Sequence, residues 1–496
     1  MTETPPGAMG LERLVESLDG ATVRGELERT ISGIAHDSRA VGRDFAFVAL
    51  PGTRADGHDF AAAAIARGAT AVVADLRRAE GLDVPNDVTL IAVPDTRAAL
   101  ARLAATFYGN PSRAFAQTIG VTGTNGKTTT TFFIRAILEA AGLPCGMIGT
   151  LGAYFGNDVR ALGNTTPLAL ELQETLAAMR DRGARAVVME VSSHALALER
   201  VACIDFSIAL LTNVTRDHLD FHKSEAAYAA AKRRLLDASS VVVLNADDPT
   251  GLSWAPELLR GGRRVVTYAV DANADVRARN VAPSIDGSSF AVDETRFGVK
   301  LPGSFNVSNA LAAIAVARTI GIDDAVTAAA LASVNSVPGR MEHFSADGVD
   351  VIVDYAHTPD ALANVLRAAR ATARGRLVTV FGCGGDRDRG KRPEMGRIAS
   401  ELSDTTIVTS DNPRGEDPQA IVDDILAGIA DRRSVVVELD RARAIRRGIE
   451  SAVDGDVVVV AGKGHETYQV VGASSYHFDD REIVRKLLAD RAERAG

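Results

Sequence analysis

Short apolar runs alternate with amphipathic stretches along the whole chain, and the pattern changes character at two places. In residues 1–108 the runs 45–50, 71–74 and 90–93 are separated by alanine-rich stretches such as 60–67, which predicts a small α/β unit. The breaker cluster Tyr108-Gly-Asn-Pro-Ser112 marks the first boundary. From 109 to 344, an apolar run enters a glycine-rich loop at 120–131 and then an amphipathic helix at 132–141, stopped by Gly142. The runs 186–190, 206–211 and 241–244 continue as strands, 276–301 alternates as an antiparallel meander, and a long helix is expected over 305–320. From 345 to 496, strands near 351–353, 377–381, 406–409, 435–439 and 457–460 alternate with helices, the pattern of a parallel sheet with crossover connections. The expected fold class is therefore α/β in three domains, 1–108, 109–344 and 345–496, with a mostly parallel central sheet.

The chemistry concentrates at predicted strand ends. Gly123-Thr-Asn-Gly-Lys-Thr128 opens a helix after a strand, so backbone N–H groups, the Lys127 charge and the Thr128 hydroxyl are placed for a triphosphate and its magnesium ion. Val121 stands where the strict nucleotide loop has glycine, which makes the loop a variant distinct from the GTPase form. Glu190 ends an apolar run as a candidate magnesium ligand. Asp217, His218, Asp220 and His222 share one loop and are weighed as a second cation site. Asn306 and Asn309 lie one turn apart on a helix face. Taken alone, Lys232 reads as a surface lysine. The loops 34–39 and 51–58 are polar and turn-rich, and read by themselves as solvated loops. Three polar loops, 384–391, 411–414 and 462–466, fall on one rim of the last sheet and suit a zwitterion, with arginines for carboxylates and Glu466 for an ammonium.

Composition narrows the partners. The net charge is −9 over 496 residues with 46% hydrophobic content, which disfavours a nucleic-acid partner and leaves ample core. Three scattered cysteines suggest a reducing compartment, and the start 1–7 has neither the basic flank nor the apolar core of a signal peptide. With no apolar run long enough for a membrane helix, a cytoplasmic protein without membrane insertion is expected.

Gly123-Thr-Asn-Gly-Lys-Thr128, Asn164-Thr-Thr-Pro167, Glu190-Val-Ser-Ser-His194, Asp217-His-Leu-Asp220, Asn306, Asn309 and Asp411-Asn-Pro-Arg414 together resemble the Mur ligases over the whole chain. The resemblance implies a UDP-binding first domain, a central ATPase domain and a Rossmann-like last domain that receives an amino acid. It assigns ATP to Gly123, Thr124, Asn125, Gly126, Lys127, Thr128 and Thr129, with Asn306, Arg340 and Asp354 beside the nucleotide. Ser38, Asn164, Thr165, Thr166, Ser192 and Arg200 are assigned to the UDP-sugar-peptide; Leu198 stands where some relatives carry a polar residue, so no contact is assigned there. Magnesium falls to Thr128, Glu190, His218 and Lys232, the last as the carbamate (N6-carboxylysine) of this family, with Lys127, Glu190, His218 and Lys232 as the catalytic set.

Asp-Asn-Pro-Arg is the form of diaminopimelate-adding members. It implies UDP-N-acetylmuramoyl-L-alanyl-D-glutamate and meso-diaminopimelate as substrates, with L-lysine the alternative, and Arg387, Asp411, Asn412, Pro413, Arg414, Gly462 and Glu466 around the amino acid. A monomer is expected. The readings from other classes are a nucleotide switch, a UDP-sugar binder and, within the superfamily, a folylpolyglutamate synthetase. The variant loop and the three-loop rim speak against the switch. Glu190 and His218 would be idle in a binder, and Asp411-Asn-Pro-Arg414 argues against the folate enzyme.

Overall fold

The computed structural model describes residues 7–52 and 55–495, so the first six residues of the signal-peptide reading, and Thr53 and Arg54 of the 51–58 loop, lie outside the described residues. The chain forms two compact units. One comprises the residues up to Thr122 with Gly142–Leu210 and Ala231–Val242; the other comprises Gly123–Ala141, Leu211–Ala230 and the chain from Val243 onward.

In the first unit a five-stranded sheet has the order Thr22–Arg24, Thr89–Val93, Ala69–Asp75, Phe45–Val48, Gly33–Ala35, parallel except for its first pair. Alternation of side chains along a strand explains why the runs are apolar throughout. Ala71 and Val73 face one core with Ile91, Leu100 and Leu103, while Val72 and Ala74 face a second with Phe47 and Leu90. The same unit contains Gln117–Thr122, Ala186–Glu190 and Cys145–Gly149 as adjacent parallel strands, extended by the antiparallel Gly152–Phe155 and Asp158–Arg160. The helix Ala169–Asp181 buries Leu172, Leu176 and Met179 on one face.

In the second unit the helix Lys127–Ala140 packs on Ser304–Thr319, and the expected meander is present as Arg279–Ser284, Gly287–Val292 and Thr295–Val299. A six-stranded sheet has the order Glu342–Ala346, Val349–Asp354, Val457–Ala461, Leu377–Phe381, Thr405–Val408, Val435–Val437. Only the first pair is antiparallel, so the five remaining strands end on one rim. Val351, Val353, Val378, Val380, Val458 and Val460 cover one face with Ile445 and Ile449. Ile352, Leu377, Phe381, Val457 and Val459 cover the other with Leu362, Leu366 and Met395. His343 lies within the edge strand, and its Nε2 is 2.7 Å from Asp350 Oδ1.

A buried ion pair props the rim. Arg441, the first residue of the helix Arg441–Ser451, donates from Nε and Nη2 to Asp480 at 2.8 and 2.7 Å, and both residues are fully buried. The same guanidinium reaches the carbonyls of Ala461 at 3.0 Å and Ser410 at 3.3 Å, where two rim loops leave their strands. Such a pair is retained in a core only with its remaining donors satisfied, which these two carbonyls do. Among the described residues no helix is long and apolar enough to cross a membrane.

Candidate active site

The helix that follows the phosphate-type loop begins at Lys127, five residues earlier than its apolar pattern suggests. Its first turn is Thr128–Thr131, polar by type but buried in place, so hydrophobic periodicity does not register it. The loop requires its glycines. Gly123 and Gly126 have φ of 148° and 86°, and a Cβ on them would come within 1.8 Å of Thr212 Oγ1 and 2.3 Å of Asn309 Oδ1. Thr212 and Asn309 thus back the loop closely, and a glycine loop that opens a helix N-terminus fits a phosphate chain. Lys127 Nζ lies 2.9 Å from the Gly123 carbonyl and 3.0 Å from that of Thr124.

Polar residues from several loops fix this cradle. Thr212 Oγ1 donates to the Asn125 carbonyl at 2.6 Å, the Asn125 amide donates to Asn213 Oδ1 at 2.9 Å, and Asn125 Nδ2 donates to Asp360 Oδ2 at 2.9 Å. Thr124 Oγ1 and the Tyr228 hydroxyl are 3.0 Å apart. Asn309 donates to Asn306 Oδ1 at 3.0 Å, and Asn306 to the Pro302 carbonyl at 2.8 Å, so the two asparagines form one relay beneath the loop. Arg340 Nη2 donates to Thr128 Oγ1 at 3.1 Å and its guanidinium lies 4.5 Å from the centre of the Tyr355 ring. Asp354 accepts the amides of Met341 at 2.7 Å and Ala356 at 2.8 Å; burial raises its carboxyl pKa, against the pull of Arg340.

The candidate acceptor residues meet within the first unit. Glu190 accepts the Thr150 amide at 2.9 Å and its hydroxyl at 3.1 Å, and a Cβ on Gly149 would come within 2.3 Å of the carboxylate. Thr166 Oγ1 donates to the Glu190 carbonyl at 2.9 Å and accepts the Ser192 amide at 3.1 Å; Ser192 Oγ caps the helix Ser193–Ala197. Arg200 donates to the Thr166 carbonyl at 2.9 Å, and Thr165 Oγ1 is 3.1 Å from Thr150 Oγ1. Asn164 is exposed immediately before them. Ser38 starts a 3-10 turn capped by Asp37, and the neighbouring His36 lies 3.6 Å from Glu171, a residue whose charge acts on Arg200. Lys232 lies in this unit at 1% exposure, on the helix Glu225–Asp237, which removes it from the surface lysines.

The loop 216–222, weighed as a cation site, holds Asp217, His218, Asp220 and His222. Among the described residues no three His, Cys, Asp or Glu side chains stand where they could hold a metal ion. His222 is instead packed edge-on against Phe221 and Tyr228, at 4.8 and 5.3 Å between ring centres. Asp217 accepts the His218 amide at 2.8 Å, and the charge of His218 is the largest influence holding its carboxyl low against burial. Thr128 in one unit and Glu190 in the other each offer hard oxygen donors of the type magnesium takes.

The three rim loops do converge. The Gly385 amide donates to the Asn412 carbonyl at 2.9 Å, and Arg414 Nη1 donates to the Gly385 carbonyl at 2.9 Å. Asn412 Nδ2 donates to Glu466 Oε2 at 2.8 Å. Arg387 is exposed at the mouth, while Asp411, Asn412, Pro413 and Gly462 are buried. Arg414 has an uncommon φ of 51°, held by backbone bonds to Val470 and Gly472 of the hairpin Tyr468–Val471 and Ser474–His477. A Cβ on Gly339 would come within 2.1 Å of the His465 amide, so the segment carrying Arg340 abuts the 462–466 loop. Thr150, Thr212, Asn213, Tyr355 and Lys463 were not singled out from sequence. Each lies one or two residues beyond the end of a strand, and that position was the available signal.

Three family models match the chain: the Mur ligase family catalytic domain at residues 30–108, the Mur ligase middle domain at 121–317 and the Mur ligase glutamate ligase domain at 339–464. The UDP-N-acetylmuramoyl-L-alanyl-D-glutamate–2,6-diaminopimelate ligase of Syntrophomonas wolfei is 46% identical over 97% of this chain and 100% of its own length. The protein of the same name from Gloeobacter violaceus is 46% identical over 98% and 99%. A solved structure of a ligase of this name superposes with a TM-score of 0.69 at 33% identity, covering 98% of this chain and 99% of that one. Folylpolyglutamate synthase of Mycobacterium tuberculosis shares the fold at 18% identity and a TM-score of 0.61, over 74% of this chain and 92% of its own.

Proposed function

Because the chain belongs to the Mur ligase family, we propose that it is the ATP-dependent ligase that adds meso-2,6-diaminopimelate to the D-glutamate carboxylate of UDP-N-acetylmuramoyl-L-alanyl-D-glutamate. The observation that carries this reading is the end-to-end identity with ligases of that name, and the Asp411-Asn-Pro-Arg414 loop on the rim supports it. The product is a precursor of peptidoglycan. A cytoplasmic location and a monomeric state belong to the same reading, as does the division into domains 1–108, 109–344 and 345–496.

The chemistry follows from the leaving group. A carboxylate oxygen does not depart, so an oxygen of the acceptor carboxylate attacks the γ-phosphorus of ATP, the bond to ADP breaks, and an acyl phosphate forms. The amine then attacks the acyl carbon, the acyl C–O bond breaks with its electron pair leaving on inorganic phosphate, and the amine loses a proton. Phosphoryl transfer needs charge neutralisation and alignment more than covalent help. Lys127 and the N–H groups of 123–129 hold the phosphates, with Asn306, Arg340 and Asp354 beside the nucleotide. Ser38, Asn164, Thr165, Thr166, Ser192 and Arg200 hold the UDP-sugar-peptide. Thr128, Glu190, His218 and Lys232 as a carbamate are assigned to magnesium, which when bound offsets charge on the transferring phosphoryl oxygens. Arg387, Asp411, Asn412, Pro413, Arg414, Gly462 and Glu466 take the amino acid.

The test is phosphate release from ATP. It should require both UDP-N-acetylmuramoyl-L-alanyl-D-glutamate and a diamino acid, and release independent of the first substrate would overturn the reading. For Lys232, which is buried at 1% exposure, Lys232→Ala is expected to lose about a hundredfold or more in kcat and to recover part of it with added formate or acetate. Full activity of the alanine variant would remove Lys232 from the metal site.

A further inference from the structure

Lys463 lies between Gly462 and Glu466 and is fully buried. Its Nζ is 3.1 Å from Asn412 Oδ1, 3.5 Å from Asp411 Oδ1 and Glu466 Oε2, and 5.7 Å from the centre of the Tyr468 ring. A lysine removed from water persists where its charge is matched, and here it stands between two carboxylates. The contacts also orient Asn412. Its Oδ1 accepts Lys463 and the Val470 amide, at 2.9 Å for the latter, so Nδ2 must turn to Glu466 Oε2. Both hydrogen bonds to the Glu466 carboxylate therefore fall on one oxygen.

We propose that Lys463 is a positioning residue of the amino-acid site: by balancing Asp411 and holding Asn412 and Glu466 Oε2, it presents Glu466 Oε1 as the acceptor for an ammonium group of the incoming diamino acid. The inference rests on the assignment of these loops to diaminopimelate. Its chemistry is that of a buried carboxylate pair, which without a cation retains a proton. Burial and the charge of Asp411 raise the Glu466 carboxyl pKa, while Lys463 and the Asn412 hydrogen bond lower it. The other charged or titratable groups facing it are Tyr355 from the 349–354 strand end, Tyr468 from the hairpin and Arg441 from its helix. An ammonium is held by a carboxylate and not by a carboxylic acid, so amino-acid affinity falls as pH drops through the Glu466 pKa. Without Lys463 that fall moves to higher pH.

Lys463→Met keeps most of the length of the unbranched side chain and removes its charge. With ATP and acceptor saturating, KM for meso-diaminopimelate should rise about tenfold or more at neutral pH while kcat changes much less, and the acid limb of kcat/KM should move up by about one pH unit or more. KM for ATP should stay as it is. Lys463→Arg should return the limb toward its original position. In Glu466→Gln the limb should vanish, and adding Lys463→Met to that variant should no longer move the profile. An unshifted limb in Lys463→Met, or a further shift in the double variant, overturns the proposal. Should Lys463→Met fail to fold by circular dichroism, Glu466→Gln decides: an unchanged limb and KM overturn it. A wild-type enzyme that prefers another diamino acid sinks the substrate assignment instead, and the same profiles taken with that amino acid then test Lys463.

Discussion

Lys127→Ala is expected to yield a folded protein whose ligation rate has dropped at least about a thousandfold, roughly 4 kcal/mol of transition-state stabilisation. The fold should survive because Lys127 is only half-buried, and its Nζ donates to the Gly123 and Thr124 carbonyls of its own loop. The activity should not, because the cradle of Gly123 to Gly126 supplies fixed N–H dipoles but no full positive charge of its own. In-line transfer spreads charge over the γ-phosphoryl oxygens, and a fixed ammonium is what meets it. Single-turnover phosphate release beside a thermal melt separates the two effects. Activity within a few-fold of wild type, with an unchanged melt, would mean that the phosphates bind elsewhere.

Arg414→Ala should abolish the preference for meso-diaminopimelate over L-lysine. The two amino acids share an α-amino-acid end, but the far end of diaminopimelate carries a carboxylate as well as an ammonium. Arg414 is half-buried and fixed at its backbone by the hairpin, so its guanidinium is aimed before any ligand arrives. A carboxylate gains a charge-assisted pair there, whereas lysine supplies no anion to the guanidinium. Such a difference is on the order of 2 to 5 kcal/mol, which corresponds to about 30- to 4,000-fold in preference. Competition between the two amino acids in one ligation mixture measures it directly. Wild-type enzyme that uses both equally, or an alanine variant that keeps the preference, would remove Arg414 from specificity.

Much of this was legible where sequence pattern and burial coincide. The strand Ala186–Glu190 was readable to the residue because it is apolar throughout and ends in a carboxylate. The rim loops were readable because parallel strands place their carboxyl ends together. What escaped has a physical cause in each case. The edge strand Glu342–Ala346 is mostly polar and buries little, so no alternation announces it. The first turn of the phosphate-loop helix is buried threonine. Arg392 and Arg441 are wholly buried arginines that read as surface residues until Glu416, Asp424 and Asp480 are seen beside them. His222 is of a type that suits a metal, yet it packs on Phe221 and Tyr228, a contact that composition cannot announce.

The order of strands in the six-stranded sheet has a kinetic consequence. Val457–Ala461 comes last of the six in sequence yet sits between Val349–Asp354 and Leu377–Phe381, pairing with both. Until this five-residue segment, Val-Val-Val-Val-Ala, is inserted, the sheet is two separate pieces with bare backbone facing inward. Loop closure across so long a stretch of chain is slow, and the waiting edges are apolar on both faces. The vulnerable species during synthesis and refolding is therefore a split sheet with a strand-shaped gap, the form most exposed to pairing with the wrong partner.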